Sequence, residues 1–223
     1  MIRVGHEKFD RALNGGIGEE DLVLVYGEAG TGKTTLLMYY AYLCALSRFK
    51  VIFLSSEKPF AIERLVQISG RKWREVSRRI SVMLIRSFIE QLELIERLEH
   101  FITPSLKLIA IDTITDAYRE SISEGVSPLR ANKCLNRQMA MLYELAKNKS
   151  LIVMVSGQVR ERPEEGVEEI VAAKVMRFWP NKIIRLERIG GKRYAVIEKT
   201  PAYKYVGLRI SFKVAERGIY FEY

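Results

Sequence analysis

Short continuous apolar runs alternate along this chain with stretches whose apolar residues return every three or four positions. Leu22-Val23-Leu24-Val25-Tyr26, Val51-Ile52-Phe53-Leu54, Leu106–Ile111 and Leu151–Ser156 are strand-length and almost free of charge, the pattern of strands buried on both faces. Between them the spacing predicts helices over Thr35–Ala41, Ala61–Ile68, Ile89–His100 and Leu129–Lys147, with a weaker strand near Ser81–Ile85. Strand alternating with helix predicts a largely parallel sheet covered on both faces. From Lys182 onward the rhythm changes to short strands joined by Gly190-Gly191 and Gly218, which reads as antiparallel hairpins extending one sheet edge. The expected fold class is α/β, formed by one domain over residues 1–223, without repeats or a linker.

The junction after the first apolar run carries the strongest chemistry. Gly27-Glu28-Ala29-Gly30-Thr31-Gly32-Lys33-Thr34 matches G-x-x-x-x-G-K-[ST], with a strand before it and a helix opening at Thr35. Glycines let such a loop wrap a phosphate, and successive N–H groups at the helix start supply positive partial charge. Lys33 is expected on the β- and γ-phosphates and the Thr34 hydroxyl on Mg²⁺, so the sequence predicts a site for a nucleoside triphosphate. Hydrolysis also needs a carboxylate beside the metal. Asp112 ends the apolar run Leu106–Ile111, where it can hold a Mg²⁺-bound water next to Thr34. Glu57 follows the strand Val51–Leu54, which is expected to neighbour the loop strand, so its carboxylate can face the γ-phosphate.

Composition narrows the remaining classes. No apolar run reaches the length of a membrane span, and Met1–Glu7 has no signal-peptide pattern, so no membrane partner is expected. Cys44 and Cys134, both in apolar helical surroundings, read as buried free thiols of a cytoplasmic protein. The formal net charge is +9, and Lys174–Tyr223 holds twelve Lys/Arg against four Glu. Such an excess suits a polyphosphate or nucleic acid, or else a solvated, thermophile-style surface rich in Lys, Arg and Glu.

The order of these motifs resembles the RecA/RadA recombinase superfamily over nearly the whole chain. His6-Glu7-Lys8-Phe9-Asp10-Arg11-Ala12-Leu13-Asn14-Gly15-Gly16-Ile17 is similar to the entry segment of its ATPase core, and Phe53–Leu65 to its strand, glutamate and following helix. The resemblance implies a RecA-like P-loop NTPase core in which Glu57 polarises the attacking water and Arg64 stacks on adenine. Val155-Ser156-Gly157-Gln158-Val159-Arg160 resembles the segment where a glutamine senses the γ-phosphate and opens the second DNA-binding loop. That assigns sensing to Gln158. Arg177-Phe178-Trp179-Pro180-Asn181-Lys182-Ile183-Ile184-Arg185-Leu186-Glu187-Arg188 and Ile197-Glu198-Lys199 are closest to archaeal RadB-type paralogues.

The resemblance further implies a weak, Mg²⁺-dependent and DNA-stimulated ATPase that assists homologous recombination. Its implied partners are single-stranded DNA, a RecA/RadA-type recombinase and further copies of itself. The two DNA loops would lie near Arg119–Pro128 and Arg160–Ile170, with Arg119, Arg160, Arg162, Lys174, Arg177 and Lys182 as contacts. Two features depart from strand-exchange proteins of the superfamily. The core starts almost at Met1, so no N-terminal DNA-binding domain is expected, and Phe9-x-x-Ala12, which fits a pairing motif, lies inside the core entry. The second loop carries Glu161, Glu164, Glu165, Glu168 and Glu169 against two Arg, and a net-negative loop repels phosphodiester backbone. Trp73 and Trp179 could stack on bases or belong to the core. The alternative reading is a KaiC-type regulatory ATPase, although that class tends to carry paired acids where this chain has Glu57-Lys58.

Overall fold

The apolar runs form the parallel centre of one sheet. The structure, a computed structural model, describes residues 1–56, 60–162 and 167–222. Strands β1 (Leu22–Gly27), β2 (Lys50–Ser55), β3 (Ile80–Leu84), β4 (Leu106–Asp112), β5 (Ile152–Arg162) and β7 (Lys182–Ile189) run parallel in the order β7-β1-β5-β4-β2-β3. The hairpin strands β8 (Lys192–Lys199), β9 (Arg209–Ala215) and β10 (Gly218–Phe221) continue antiparallel beyond β7, as the Gly-turn pattern predicts. β6 (Val167–Ile170) pairs antiparallel with the end of β5.

Every residue of β1 is buried, and its side chains alternate between two cores. Val23 and Val25 pack under α1 (Glu7–Ala12), α2 (Lys33–Leu46), α3 (Ile62–Ser69) and α4 (Trp73–Val76). Leu22, Leu24 and Tyr26 pack under α5 (Phe88–Arg97), α6 (Asp116–Ser123), α7 (Pro128–Asn148) and α8 (Ala173–Phe178). Period-two alternation against two apolar layers is the reason the run contains no polar position. Phe9 and Ala12 are completely buried in the first core, so their pairing-motif spacing serves packing. Trp73 packs against the first core and Trp179 against the second. Trp179 also lies against Tyr143 and donates to Asn136 Oδ1 at 2.9 Å.

Three expectations need correction. β2 does not neighbour β1, because β5 and β4 lie between them; local pattern gives strands but not their order. The segment expected as a first loop from Arg119 is helical to Ser123. α6 buries Ala117, Tyr118 and Ser121 on one narrow face, and its polar remainder makes it look like loop by composition. Only 124–127 turn, before Ser127 Oγ accepts from Arg130 N and caps α7 with Pro128 in its first turn. Finally, the expected second loop consists largely of strand, since Arg160 pairs with Glu169 and Val159 with Ile170 across β5 and β6.

Candidate nucleotide site

Three parallel strands deliver their C-terminal ends to one place, the edge where open α/β sheets bind ligands. Gly27 at the end of β1 is level with Gln158 on β5. Ile111 is level with Val155, which puts Asp112 beside Ser156. Above these ends the segment Gly27–Thr34 curls into the start of α2. A Cβ on Gly27, at φ 153°, would lie 2.0 Å from the Leu186 carbonyl oxygen of β7. A side chain there would break the sheet, so glycine is obligatory. Gly30 and Gly32 also have positive φ. Thr31 Oγ1 donates to the Glu28 carbonyl at 2.8 Å and holds the curl closed.

The first N–H groups of a helix have no intrahelical partner, and Gly32 supplies α2 with no side-chain cap. Lys33, Thr34 and Thr35 therefore present their amides to an open pocket of about 340 Å³, which Ala29, Gly30 and Gly32 also line. Lys33 is buried, and its Nζ donates to the carbonyls of Gly27 at 2.8 Å and Glu28 at 2.7 Å. The ammonium thus stays at the loop. Beneath it Asp112 is 1% exposed. Burial pushes its carboxyl above the usual carboxylate range, while hydrogen bonds from Ser156 and Thr34 and the Lys33 charge pull it back. Thr34 and Asp112, hydroxyl and carboxylate in contact, form a hard oxygen pair. Mg²⁺ takes one or two such carboxylate-type contacts and completes its shell with phosphate and water, so the donor set fits that ion.

Around this centre the structure gathers residues the motif did not reveal. Ser56 N donates to the Asp112 carbonyl at 2.9 Å, and Thr113 N donates to Ser56 Oγ at 3.0 Å. Glu57 lies outside the described residues; Ser56, just before it, is fastened beside Asp112. Gln158 lines the pocket together with Thr113. Its backbone N–H donates to Thr115 Oγ1 at 3.0 Å, and its Oε1 accepts from Arg119 Nη1 at 2.5 Å. Arg119, expected as a DNA contact, is thus joined to the residue expected to sense phosphate. Ser156 could have been found as a polar residue ending an apolar run. The Arg119 contact depends on α6 crossing the end of β5, for which the sequence carries no signal.

Arg64 sits at the rim. Its guanidinium donates to the carbonyls of Ala215 at 2.7 Å and Glu216 at 3.1 Å, and Val214 of the same segment lines the pocket.

The remaining expected DNA contacts separate by environment. Lys182 is buried, bonded to Asp21 Oδ2 at 2.5 Å and the Gly16 carbonyl at 2.8 Å, and cannot reach a phosphate backbone. Arg177 is committed to Glu198 at 2.8 Å and to the Tyr26 hydroxyl at 2.6 Å. Expected as a DNA contact, Arg177 has in Glu198 a partner that offsets the charge it would bring to a phosphate backbone. Arg160 is exposed, with Glu169 at 3.8 Å, and Lys174 is exposed on α8. Both line a cleft of about 380 Å³ at the base of the β5–β6 hairpin, together with Asn132 and Glu169. The side chain of Arg162, like Glu164 and Glu165, lies outside the described residues.

Comparison with known proteins gives the family and the fold. The family model described as Rad51 matches residues 1–185. The chain is 32% identical over 197 residues to the DNA repair and recombination protein RadB of Methanocaldococcus jannaschii, covering 87% of this chain and 90% of that protein. It is 30% identical over 223 residues to the protein of the same name from Thermococcus sibiricus, covering 98% and 94%. A crystal structure of the RadB recombinase superimposes with a TM-score of 0.82 at 32% identity, over 98% of each chain.

Proposed function

The chain belongs to the Rad51 family, with a RecA-like fold and strong likeness to RadB proteins, and from that membership we propose that it serves DNA repair and recombination as an ATP-binding, weakly hydrolysing accessory. The observation that carries the reading is the meeting of the loop Gly27–Thr34, Asp112 and Gln158 at adjoining strand ends. The loop amides and Lys33 hold the β- and γ-phosphates, and Thr34 and Asp112 hold Mg²⁺, which neutralises phosphate charge. Glu57 orients and deprotonates the attacking water. Arg64, fixed in its own plane by two carbonyls, offers its flat face to adenine. Gln158 contacts the terminal phosphate and opens the hairpin, so nucleotide state reaches the DNA-binding edge through β5.

ATP turnover with and without single-stranded DNA, across a salt series, tests the whole reading. Glu57→Gln should keep ATP affinity and lower turnover by about 10²-fold, the usual scale for losing a positioned base. Turnover within threefold of wild type would place water activation on another residue.

DNA should bind through the cleft of Arg160 and Lys174, weakly, because Glu169 and the acidic hairpin oppose the backbone. Binding should fall with salt, each neutralised phosphate contributing a slope of about −0.7 for a single strand. Replacing both cations by Glu should lower affinity at least about tenfold and flatten the slope by roughly 1.4. Absence of salt-sensitive affinity in the wild type would remove single-stranded DNA as a partner and leave a regulatory ATPase. The recombinase partner and self-association belong to the same proposal, and pull-down with a RecA/RadA-type recombinase checks them.

A further inference from the structure

Arg193 stands at the phosphate pocket, outside the loop motif and far from it in sequence. It lies on β8, which reaches the nucleotide loop only because the Gly190-Gly191 turn folds the chain back along β7. On β9 its directly opposite residue is Phe212, and opposite residues of an antiparallel pair point to the same face. The Phe212 ring lies 3.6 Å from where a Cβ on Gly32 would be. From that same face Arg193 reaches the loop and lines the pocket with Lys33, Thr34 and Gln158. Among the described lining residues, Lys33 and Arg193 are the only charged ones.

The guanidinium is poorly satisfied there. Among the described residues it makes one long hydrogen bond, from Nη2 to the Gly30 carbonyl at 3.4 Å. Its Nε is buried without a partner among the described residues, and no carboxylate among them pairs with it. A guanidinium carries five N–H donors, so most of its capacity is unused. Directly across β7, Arg188 faces it in register, and like charges in that position repel. Among the described residues, a buried unpartnered donor beside a phosphate loop, on a strand where a second cation stands opposite it, calls for an anion in the pocket.

We propose that Arg193 binds the phosphate chain of the nucleotide in cis, as a second cationic contact beside Lys33. The inference rests on the proposed triphosphate site and adds a residue that the loop motif does not contain. Lys33 approaches from within the loop and Arg193 from the hairpin edge, so the phosphates are held between two cations carried by separate elements. A planar fork suits two phosphate oxygens at once, and β8 supplies it without a neighbouring subunit.

The test is titration of the full chain with Mg²⁺–ATP and with adenosine, using wild type, Arg193→Ala and Arg193→Lys, with melting of each protein in the absence of nucleotide. Arg193→Ala should weaken ATP about tenfold or more, the scale of a hydrogen bond to a charged group, and leave adenosine within twofold. Its salt dependence for ATP should become shallower, and Arg193→Lys should recover part of the affinity. Melting should stay within about 2 °C of wild type, a shift of less than roughly 1 kcal/mol for this size. Unchanged ATP affinity in Arg193→Ala would overturn the proposal. So would a loss shared by adenosine, tracked by melting and not relieved by lysine, which would mark Arg193 as a brace for Gly30. Failure of the wild type itself to bind ATP would instead bring down the triphosphate site and this inference with it.

Discussion

Lys33→Ala is expected to lower ATP affinity by about a hundredfold or more while the protein stays folded. The ammonium is buried and fixed by the carbonyls of Gly27 and Glu28, so its position is set before any phosphate arrives. Truncating one partner of a buried hydrogen-bonded charge pair costs about 2–5 kcal/mol, which is roughly 30-fold to several thousandfold in affinity. Asp112→Asn should behave differently. An amide can still accept from Ser156 and Thr34 but carries no charge for a cation. That variant should keep most of its affinity for nucleotide and lose the dependence on Mg²⁺. Calorimetric titration with ATP, with and without Mg²⁺, separates the two. An ATP affinity in Lys33→Ala within twofold of wild type would show that this loop is not a phosphate site.

The loop, its strand and its helix could be read because they are consecutive in the chain, where one periodicity hands over to another. Asp112 was legible for a related reason, as the carboxylate that ends an apolar run. What the sequence hid depends on order and pairing. Nothing local to Val51–Leu54 says that β5 and β4 will separate it from β1, since that order is fixed by how later strands insert. Charge suffered most. The surplus after Lys174 looks like one basic surface in composition, yet Lys182 is buried against Asp21, Arg177 is paired with Glu198 and Tyr26, and Arg185 with Glu187 and Glu198. Counting cations gives a net charge; only geometry says which of them face water. Arg193 gave no signal at all, because it is a cation on a hairpin strand that becomes part of the pocket through sheet order alone.

Lys182 shows the consequence of that distinction most sharply. As a surface DNA contact it would tolerate alanine with little change in stability. In the structure its Nζ joins Asp21 and the Gly16 carbonyl, and Asp21 also accepts from Asn181 Nδ2 at 2.8 Å and Gly18 N at 2.6 Å. Asn181 in turn accepts from Leu22 N at 3.0 Å. This clamp ties the entry segment to the start of β7 beneath the loop strand. Lys182→Ala leaves the Asp21 carboxylate in the interior without its cation, a loss of about 3–5 kcal/mol. For a chain of this size each kcal/mol shifts the melting midpoint by roughly 2–4 °C, so a fall of about 6–20 °C is expected. Lys182→Glu should be worse, since it sets two carboxylates against each other. Replacing both partners, as in Lys182→Met with Asp21→Asn, removes the orphaned charge and should restore at least half of the loss. Below its melting range Lys182→Ala should bind single-stranded DNA as wild type does, because the ammonium never faced the solvent. A midpoint within 2 °C of wild type, or a DNA affinity reduced in the folded variant, would return Lys182 to the surface.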